Sequence, residues 1–225
     1  MSDRNVFLAR VRQAAEQGRQ YRVHTAPVAD EIGYLGAGGD LVNRFAEEVN
    51  AVGGQAFVVA DMEAARQRLQ ELLVEAHAQK AICWHHELLD RLRLGELLSA
   101  ASIAPANYDN LISLSEANRR EALLACDVGI TSCACAIAET GTLMMCSQPH
   151  YERVTSLLPP LHIAIVERKQ IVPDLIDAFA HLQASQNGLP SNVTFITGPS
   201  KTGDIELQLT TGVHGPGQWR VITIA

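Results

Sequence analysis

Short apolar runs alternate along this chain with longer segments in which apolar residues recur at helical spacing. The runs QAFVVAD (55–61), KAICWHH (80–86) and LHIAIVE (161–167) have the length and composition of strands. Their apolar residues do not alternate strictly with polar ones, as expected for strands that are covered on both sides. The pattern therefore predicts an α/β fold of three layers, with a mostly parallel sheet and helices on both faces.

The N-terminal part predicts one helix and an irregular connection. Val6, Phe7 and Val11 recur at helical spacing within residues 3–17, and residues 18–39 are rich in glycine. A second helix is expected to begin at Asp40 and to end at the glycine pair 53–54. We therefore divide the chain into an N-terminal helix with a glycine-rich connection (1–39) and an α/β domain (40–225).

The remaining elements are predicted from the same signals. Asp61 is expected to cap a third helix, and Pro173 to stand at the start of a later one, where its missing N–H costs nothing. Residues 87–100 are predicted to be helical with a break at Gly95. Further predictions are a short strand, a helix and a strand over 111–131, strands at 141–146, 192–197 and 219–225, and a helix over 203–211.

Charge and cysteine content exclude several classes of protein. The chain has 18 basic and 25 acidic residues, a net charge of -7 and no Lys/Arg-rich block, which argues against a nucleic-acid partner. No apolar run reaches the ~18 residues of a membrane span, and the N-terminus lacks the apolar core of a secretory signal. Five cysteines without a C-x-x-C pair indicate free thiols in a reducing compartment. We expect a cytoplasmic protein without a membrane partner.

The loop from Gly198 to Asp204 is the first candidate ligand site. It follows a strand-like run and precedes a predicted helix, so its backbone N–H groups and the helix dipole would favour an anion. Ser200, Lys201 and Thr202 would add two hydroxyls and a positive charge. The loop is not a nucleotide-binding P-loop, because aspartate follows its last glycine. The alternative is that Ser200 or Thr202 only caps the helix.

Glu139 and His214 are two more candidate site residues, and each lies close to a glycine. Glu139 precedes Gly141 closely, and a carboxylate in such a turn can approach a substrate as a base or a nucleophile. The alternative is that Glu139 caps backbone N–H groups. His214 is predicted to follow a helix C-terminus, where a cation is favoured, and Gly215 and Pro216 would fix its position. The alternative is a solvated histidine in a turn.

Other side chains capable of metal or redox chemistry are interpreted as structural. Cys133 and Cys135 could chelate a metal, but buried free thiols explain them better, because an iron–sulfur cluster requires four ligands. The His85–His86 pair has no partner at metal-ligand spacing, so no metal site is expected. Trp84 and Trp219 are interpreted as packing residues.

Three long motifs together resemble a known family. They are GITSCACAIAETGTLMM (129–145), SLLPPLHIAIVERKQIVPDL (156–175) and SNVTFITGPSKTGDIELQLTTGVHGP (191–216). In this order they closely resemble the lactate utilization protein C family, also called LUD-domain proteins. The resemblance is strong over about residues 126–217 and weaker before them. It implies a fold similar to the superfamily of ribose-5-phosphate isomerase, glucosamine-6-phosphate deaminase and CoA-transferases.

The resemblance also implies a function and a set of site residues. It implies a subunit or accessory protein of L-lactate oxidation to pyruvate, with no cofactor of its own and with iron–sulfur clusters in partner proteins. The turn at Glu139 resembles the one that carries the nucleophile in CoA-transferases, which is an analogy of fold only. Together with Glu139 and His214, the expected ligand-binding residues are Thr131, Thr140, Gly141, Thr142, Gly198, Pro199, Ser200, Lys201, Thr202, Asp204 and Gly215.

Two other functions remain open at this stage. One is a free-standing enzyme or sensor for a small anion (a phosphosugar, a carboxylate or an acyl-CoA), with Glu139 as base or nucleophile and the 198–204 loop holding the anion. The other is a binding module whose loops serve contacts in a homo-oligomer. The ligand-binding proposals require the bends near residues 140 and 200 to converge on one pocket whose free backbone N–H groups favour an anion.

Overall fold

The computed structural model describes residues 3–19, 37–106, 111–184, 188–205 and 208–225. The chain divides into two units, residues 1–35 and 36–225, and each is described by itself. The first unit contains helix α1 (Asp3–Arg19), which confirms the predicted N-terminal helix. Most of the predicted connection over 18–39 lies outside the described residues, and the predicted division after residue 39 stays a prediction.

The second unit alternates helices and strands along most of its length. Its helices are α2 (Leu41–Ala51), α3 (Met62–Glu75), α4 (Glu87–Arg91), α5 (Leu94–Ala100), α6 (Glu116–Leu124), α7 (Val154–Leu157) and α8 (Leu175–Gln183). Its strands are β1 (Gln55–Val59), β2 (Lys80–Cys83), β3 (Ala104–Ala106), β4 (Val128–Thr131), β5 (Cys135–Ile137), β6 (Thr142–Cys146), β7 (Leu161–Glu167), β8 (Ile171–Val172), β9 (Val193–Ile196), β10 (Lys201–Ile205), β11 (Gln208–Thr211) and β12 (Gln218–Ile224).

Six strands form the central sheet in the order β1-β12-β7-β4-β2-β3. Each neighbouring pair in this sheet is parallel. All four residues of β4 and the first six of β7 are buried, which explains why their sequences are apolar without a polar face. The predicted three-layer α/β fold with a mostly parallel sheet is confirmed.

Aspartate side chains cap the N-termini of three helices. Asp40 accepts a hydrogen bond from the N–H of Val42 at 3.1 Å, and Asp61 accepts one from Ala64 at 2.8 Å, as the sequence predicts. Helix α8 is capped by Asp174. The prediction that Pro173 begins this helix is therefore wrong, because the proline lies just before the capping residue.

A second sheet of four strands has the order β8-β5-β6-β9. Strand β6 is antiparallel to both β5 and β9, whereas β5 and β8 are parallel. The predicted strands at 141–146 and 192–197 thus lie outside the central sheet, and β6 returns beside β5 after a tight turn. Gly141 closes this turn with φ +62°, a left-handed conformation that glycine adopts without steric cost.

The predicted helix over 203–211 is wrong. Strands β10 and β11 form an antiparallel hairpin there, a two-stranded sheet of its own. The sequence GDIELQLTT alternates apolar and polar residues with a period of two and ends in two threonines, which is the pattern of a strand. The 198–204 loop therefore does not open a helix, and His214 does not follow a helix end. The predicted helix dipole therefore favours neither an anion at this loop nor a cation at His214.

Two smaller predictions are also corrected. The break expected at Gly95 lies earlier, between α4 and α5, where Arg93 has φ 56° and Gly95 itself is helical. The strand expected at the start of 111–131 is wrong, because Leu111 and Ile112 are helical. The helix and the strand predicted after it are confirmed as α6 and β4.

Candidate functional site

A chain of threonine hydroxyls joins the two glycine-bearing bends. The Oγ1 atoms of Thr140 and Thr142 lie 2.7 Å apart, and those of Thr142 and Thr197 lie 2.8 Å apart. The pairing of β6 with β9 places Leu143 opposite Ile196, which brings the two bends side by side. The bends near residues 140 and 200 therefore lie side by side, as expected, but Thr140, Gly141 and Thr142 do not line the cavity described below.

Both bends pack closely on the C-terminal turn of α2. A Cβ at Gly141 would lie 2.5 Å from the backbone N of Val49, and one at Gly198 would lie 2.8 Å from the carbonyl oxygen of Val52. The ammonium group of Lys201 donates a hydrogen bond to the same Val52 oxygen at 2.7 Å. The two glycines thus allow a close approach of backbones, and Lys201 satisfies a helix C-terminus.

The loops that hold Ser200 and His214 are joined through their backbones. The N–H of Ser200 donates to the carbonyl of Pro216 at 2.9 Å, and the N–H of Gly212 donates to the carbonyl of Ser200 at 2.9 Å. Gly215 faces Ser200 closely, since a Cβ there would lie 3.4 Å from the serine Cβ. The Ser200 amide that was expected to meet an anion is therefore bonded within the protein.

A cavity of about 230 Å³ lies where these loops meet the amino ends of β7 and β12. We call it the His162 cavity. Its lining residues are Ser156, Leu157, His162, Thr194, Phe195, Ile196, Thr197, Gly198, Ser200, His214, Gly215, Pro216 and Trp219. Four of the residues expected from the sequence thus surround one space: Gly198, Ser200, His214 and Gly215.

His162 is the most unusual residue of this cavity. Its side chain is fully buried, and its Nε2 lies 2.8 Å from the hydroxyl oxygen of Thr131, another expected site residue. Its Nδ1 is buried and has no hydrogen-bond partner in the described part of the chain. Burial lowers the pKa of His162 from its ordinary value of 6.5 to about 3, so the imidazole is neutral near pH 7.

Trp219 is a second residue of this cavity with an unpartnered polar atom. Its side chain is 2% exposed, and its indole Nε1 has no partner among the described residues. The ring lies against Gly54, where a Cβ would be 2.5 Å from Cε3 of the indole. Trp219 is also the register partner of His162 across the pair β12 and β7, so the two side chains emerge on the same face of the sheet.

A larger cavity of about 790 Å³ lies beside the carboxyl ends of β2 and β4, the edge at which open α/β sheets usually bind ligands. Trp84 lines it and stacks on Tyr151, with ring centroids 4.7 Å apart. The indole N–H of Trp84 donates to the carbonyl of Glu152 at 3.1 Å. Cys133 and Cys146 also line it, and burial raises the pKa of both thiols. Its aromatic and thiol groups are therefore uncharged.

Other expected residues are placed elsewhere. Glu139 is half-buried, its N–H donates to the carbonyl of Pro173 at 3.1 Å, and it lines neither cavity. Thr202 pairs with Thr210 in the β10–β11 hairpin, and Pro199 lies near Gly53. The side chain of Asp204 lies outside the described residues.

The two cysteines that could have chelated a metal lie inside the fold. Cys133 and Cys135 are buried and free, which confirms the predicted buried thiols. Among the described residues, no group of three or more His, Cys, Asp or Glu side chains is arranged to hold a metal ion.

Within the same residues, no helix combines the length and the apolar composition that crossing a bilayer requires.

Sequence reasoning missed the two polar residues that characterise the His162 cavity. The signal for His162 was present, because it is a histidine inside the otherwise apolar strand LHIAIV, and a polar group in a strand covered on both faces needs a partner. Trp219 was interpreted as packing alone. The larger cavity lined by Trp84, which we call the Trp84 cavity, was also missed, although Trp84 directly follows the carboxyl end of β2.

Comparison with known proteins gives a consistent match. Residues 42–224 match the LUD domain family. A lactate utilization protein C from Shouchella clausii is 34% identical over 150 residues, which cover 66% of this chain and 63% of that protein. A lactate utilization protein C from Halalkalibacterium halodurans is 33% identical over 153 residues, covering 67% and 64%. An uncharacterized protein from Neisseria meningitidis is 34% identical over 129 residues, covering 56% and 55%.

The chain thus spans between 55% and 64% of the length of these three curated relatives. A crystal structure of a DUF162 family protein from Deinococcus radiodurans superposes with a TM-score of 0.60 and 24% sequence identity. The superposition covers 82% of this chain and 96% of that chain. At this identity the similarity supports the fold alone.

Proposed function

The chain belongs to the LUD domain family, and from this we propose that it takes part in lactate utilization. The observation that carries the proposal is the match over residues 42–224, together with relatives of 33–34% identity that are named lactate utilization protein C. The matched range contains the threonine chain, the 198–204 loop and the His162 cavity.

In the finer form of the proposal, the protein is a subunit or accessory protein of L-lactate oxidation to pyruvate. This oxidation breaks the C–H and O–H bonds at C2 of lactate, forms a C=O bond, and releases two electrons and two protons. Partner proteins would hold iron–sulfur clusters through cysteine thiolates, and these clusters would supply the electron acceptor. The chain itself is proposed to bind or position components of that system.

Growth on lactate tests the proposal. Deletion of the gene is expected to abolish growth on L-lactate as the carbon source while leaving growth on pyruvate intact, because pyruvate enters after the oxidation. A tagged chain that restores growth on lactate should also co-purify with iron–sulfur proteins. Normal growth of the deletion strain on lactate would contradict participation, and restored growth without such co-purification would contradict the finer form.

A second candidate is an enzyme or sensor for a small anion in which Glu139 acts as base or nucleophile. The observation that favours it is the hydroxyl chain from Thr140 to Thr197, which runs from the turn after Glu139 to the His162 cavity. Glu139→Gln keeps the shape of the side chain and removes its charge. It should abolish turnover or ligand response in this account, whereas Glu121→Gln on the exposed side of α6 should not.

A further inference from the structure

Two residues that line the same small cavity each carry a buried polar atom without a hydrogen-bond partner among the described residues. The atoms are Nδ1 of His162 and Nε1 of Trp219, whose side chains are 0% and 2% exposed. Nearly all buried polar groups in native proteins have a hydrogen-bond partner, either in the protein or in a bound molecule. Two such atoms on register partners of adjacent strands therefore indicate that a bound molecule completes the site.

The hydrogen-bonding capacity of the two ring nitrogens indicates which groups the bound molecule must carry. An indole N–H only donates, so Trp219 requires an acceptor. The contact between His162 Nε2 and the Thr131 hydroxyl suits either ring tautomer, and the tautomer in which Thr131 donates carries its hydrogen on Nδ1. In this tautomer both unpartnered atoms are N–H donors. The complementary group has two acceptor oxygens, as a carboxylate does.

The charge and the volume of the His162 cavity further restrict which ligand it can bind. The residues that line the cavity include no lysine or arginine, and the amine of Lys201 nearby is bonded to Val52. Neutral donors suit a singly charged carboxylate better than a phosphate monoester, which carries a charge of about -1.5 to -2. A cavity of about 230 Å³ has room for the six non-hydrogen atoms of a three-carbon hydroxy acid.

We propose that the His162 cavity binds the carboxylate of a small organic acid, with Trp219 Nε1 and His162 Nδ1 donating to its two oxygens. The exposed His214 and the half-buried Ser200 line the same space and face the rest of the acid. That this acid is a 2-hydroxy or 2-oxo acid such as lactate or pyruvate rests on the proposed function. The carboxylate site itself rests on the geometry alone.

The two tryptophans make the test direct. Trp84 and Trp219 give two indole N–H signals in a nitrogen-15 NMR spectrum of the full chain, and Trp84→Phe assigns them. Addition of L-lactate, pyruvate or acetate in a carboxylate-free buffer should shift the Trp219 signal saturably and leave the Trp84 signal in place. Inorganic phosphate should not reproduce the shift. No saturable shift with any of the three acids, or a shift with phosphate only, would overturn the proposal.

Substitutions test the contribution of each N–H donor to binding. Trp219→Phe keeps an aromatic ring and removes the N–H, so it should weaken acid binding, measured by calorimetry, by about tenfold or more. Trp84→Phe removes an indole N–H outside this cavity and should leave the affinity unchanged. His162→Gln keeps a hydrogen-bonding amide near the Nε2 position and loses the Nδ1 donor, whereas His162→Asn keeps an amide N–H near the Nδ1 position. The Gln variant should therefore bind more weakly than the Asn variant, and the reverse order would contradict the assignment.

The NMR titration and the growth experiment distinguish an error in the proposed site from an error in the proposed function. If deletion of the gene abolishes growth on lactate but the Trp219 signal does not respond to acids, the function stands and the site is wrong. If the signal responds to acids but the deletion strain grows normally on lactate, the site stands and the function is wrong.

Discussion

His162 and Trp219 occupy matched positions in the neighbouring parallel strands β7 and β12. Gly129 of β4 continues the same row on the other side of His162. The row is buried throughout, so two polar rings are held side by side at the amino ends of the central strands. Most ligand sites of open α/β sheets lie at the opposite, carboxyl edge. The second sheet and the β10–β11 hairpin supply the loops that enclose the His162 cavity at this unusual place.

Acidification should destabilise the protein through His162. Its folded-state pKa is about 3, below the ordinary value of 6.5, so protons bind the unfolded chain first as the pH falls. The stability that the neutral buried ring contributes is complete above pH 6.5 and is lost between pH 6.5 and 3, by about 1.4 kcal/mol per pH unit. Urea unfolding of the wild type and of His162→Gln, in carboxylate-free buffers, should show a stability difference that shrinks in this range. A difference that is independent of pH would contradict the lowered pKa.

Thr131→Val should destabilise the protein although it preserves the shape of the side chain. The change removes the hydroxyl that lies 2.8 Å from His162 Nε2 and leaves a buried ring nitrogen without a partner. The expected loss is about 1–3 kcal/mol in the free energy of unfolding, measured by urea titration. Thr211→Val in the exposed part of β11 is the matched control and should change stability by less than about 0.5 kcal/mol. Equal effects of both changes would contradict the role of the Thr131–His162 bond.

Gly129→Ala should be strongly destabilising. A Cβ at this position would overlap the backbone carbonyl of Thr155, where α7 packs on β4, and backbone cannot move aside as a flexible side chain can. The expected loss is roughly 3 kcal/mol or more, at the upper end of overpacking effects. Gly95→Ala is the control, because α5 leaves open space there, and it should stabilise the protein by about 0.5–1 kcal/mol. Thermal and urea unfolding of the two variants measure both effects, and a neutral Gly129→Ala would contradict the close contact.

Lys201→Met should affect stability and leave the carboxylate site intact. The lysine amine is bonded to the Val52 carbonyl, so its loss should lower the free energy of unfolding by about 0.5–1.5 kcal/mol. Calorimetry with pyruvate should give the same affinity for the variant and the wild type. A large loss of affinity would show that Lys201 contacts the ligand, as the loop sequence first suggested.

The sequence predicts the central sheet well because its inner strands β4 and β7 are buried on both sides. Their runs are apolar over the length of a strand, the pattern expected where both faces are covered, whereas β1 at the edge of the sheet is only partly buried. The segment that forms the β10–β11 hairpin was wrongly predicted to be a helix, because a helix was expected after a strand in the strand–helix order of the chain. Its own apolar and polar residues alternate with a period of two, which is the pattern of a strand. Local alternation was the better guide there.

The site could be predicted only where glycine and hydroxyl motifs mark loops. Gly198, Ser200, His214 and Gly215 are close in sequence to one another, and they do meet around one cavity. The contribution of His162 depends on which residue of β12 lies beside it. That register is set by tertiary pairing of strands more than fifty residues apart, and it is not encoded in either strand alone.

A crystal structure of the full chain grown with pyruvate tests the central claim most directly. We predict one pyruvate in the His162 cavity, with its carboxylate oxygens within about 3 Å of Trp219 Nε1 and His162 Nδ1. Crystals grown without carboxylates should show only water there. A cavity that holds only water at saturating pyruvate, or pyruvate bound solely in the Trp84 cavity, would contradict the claim.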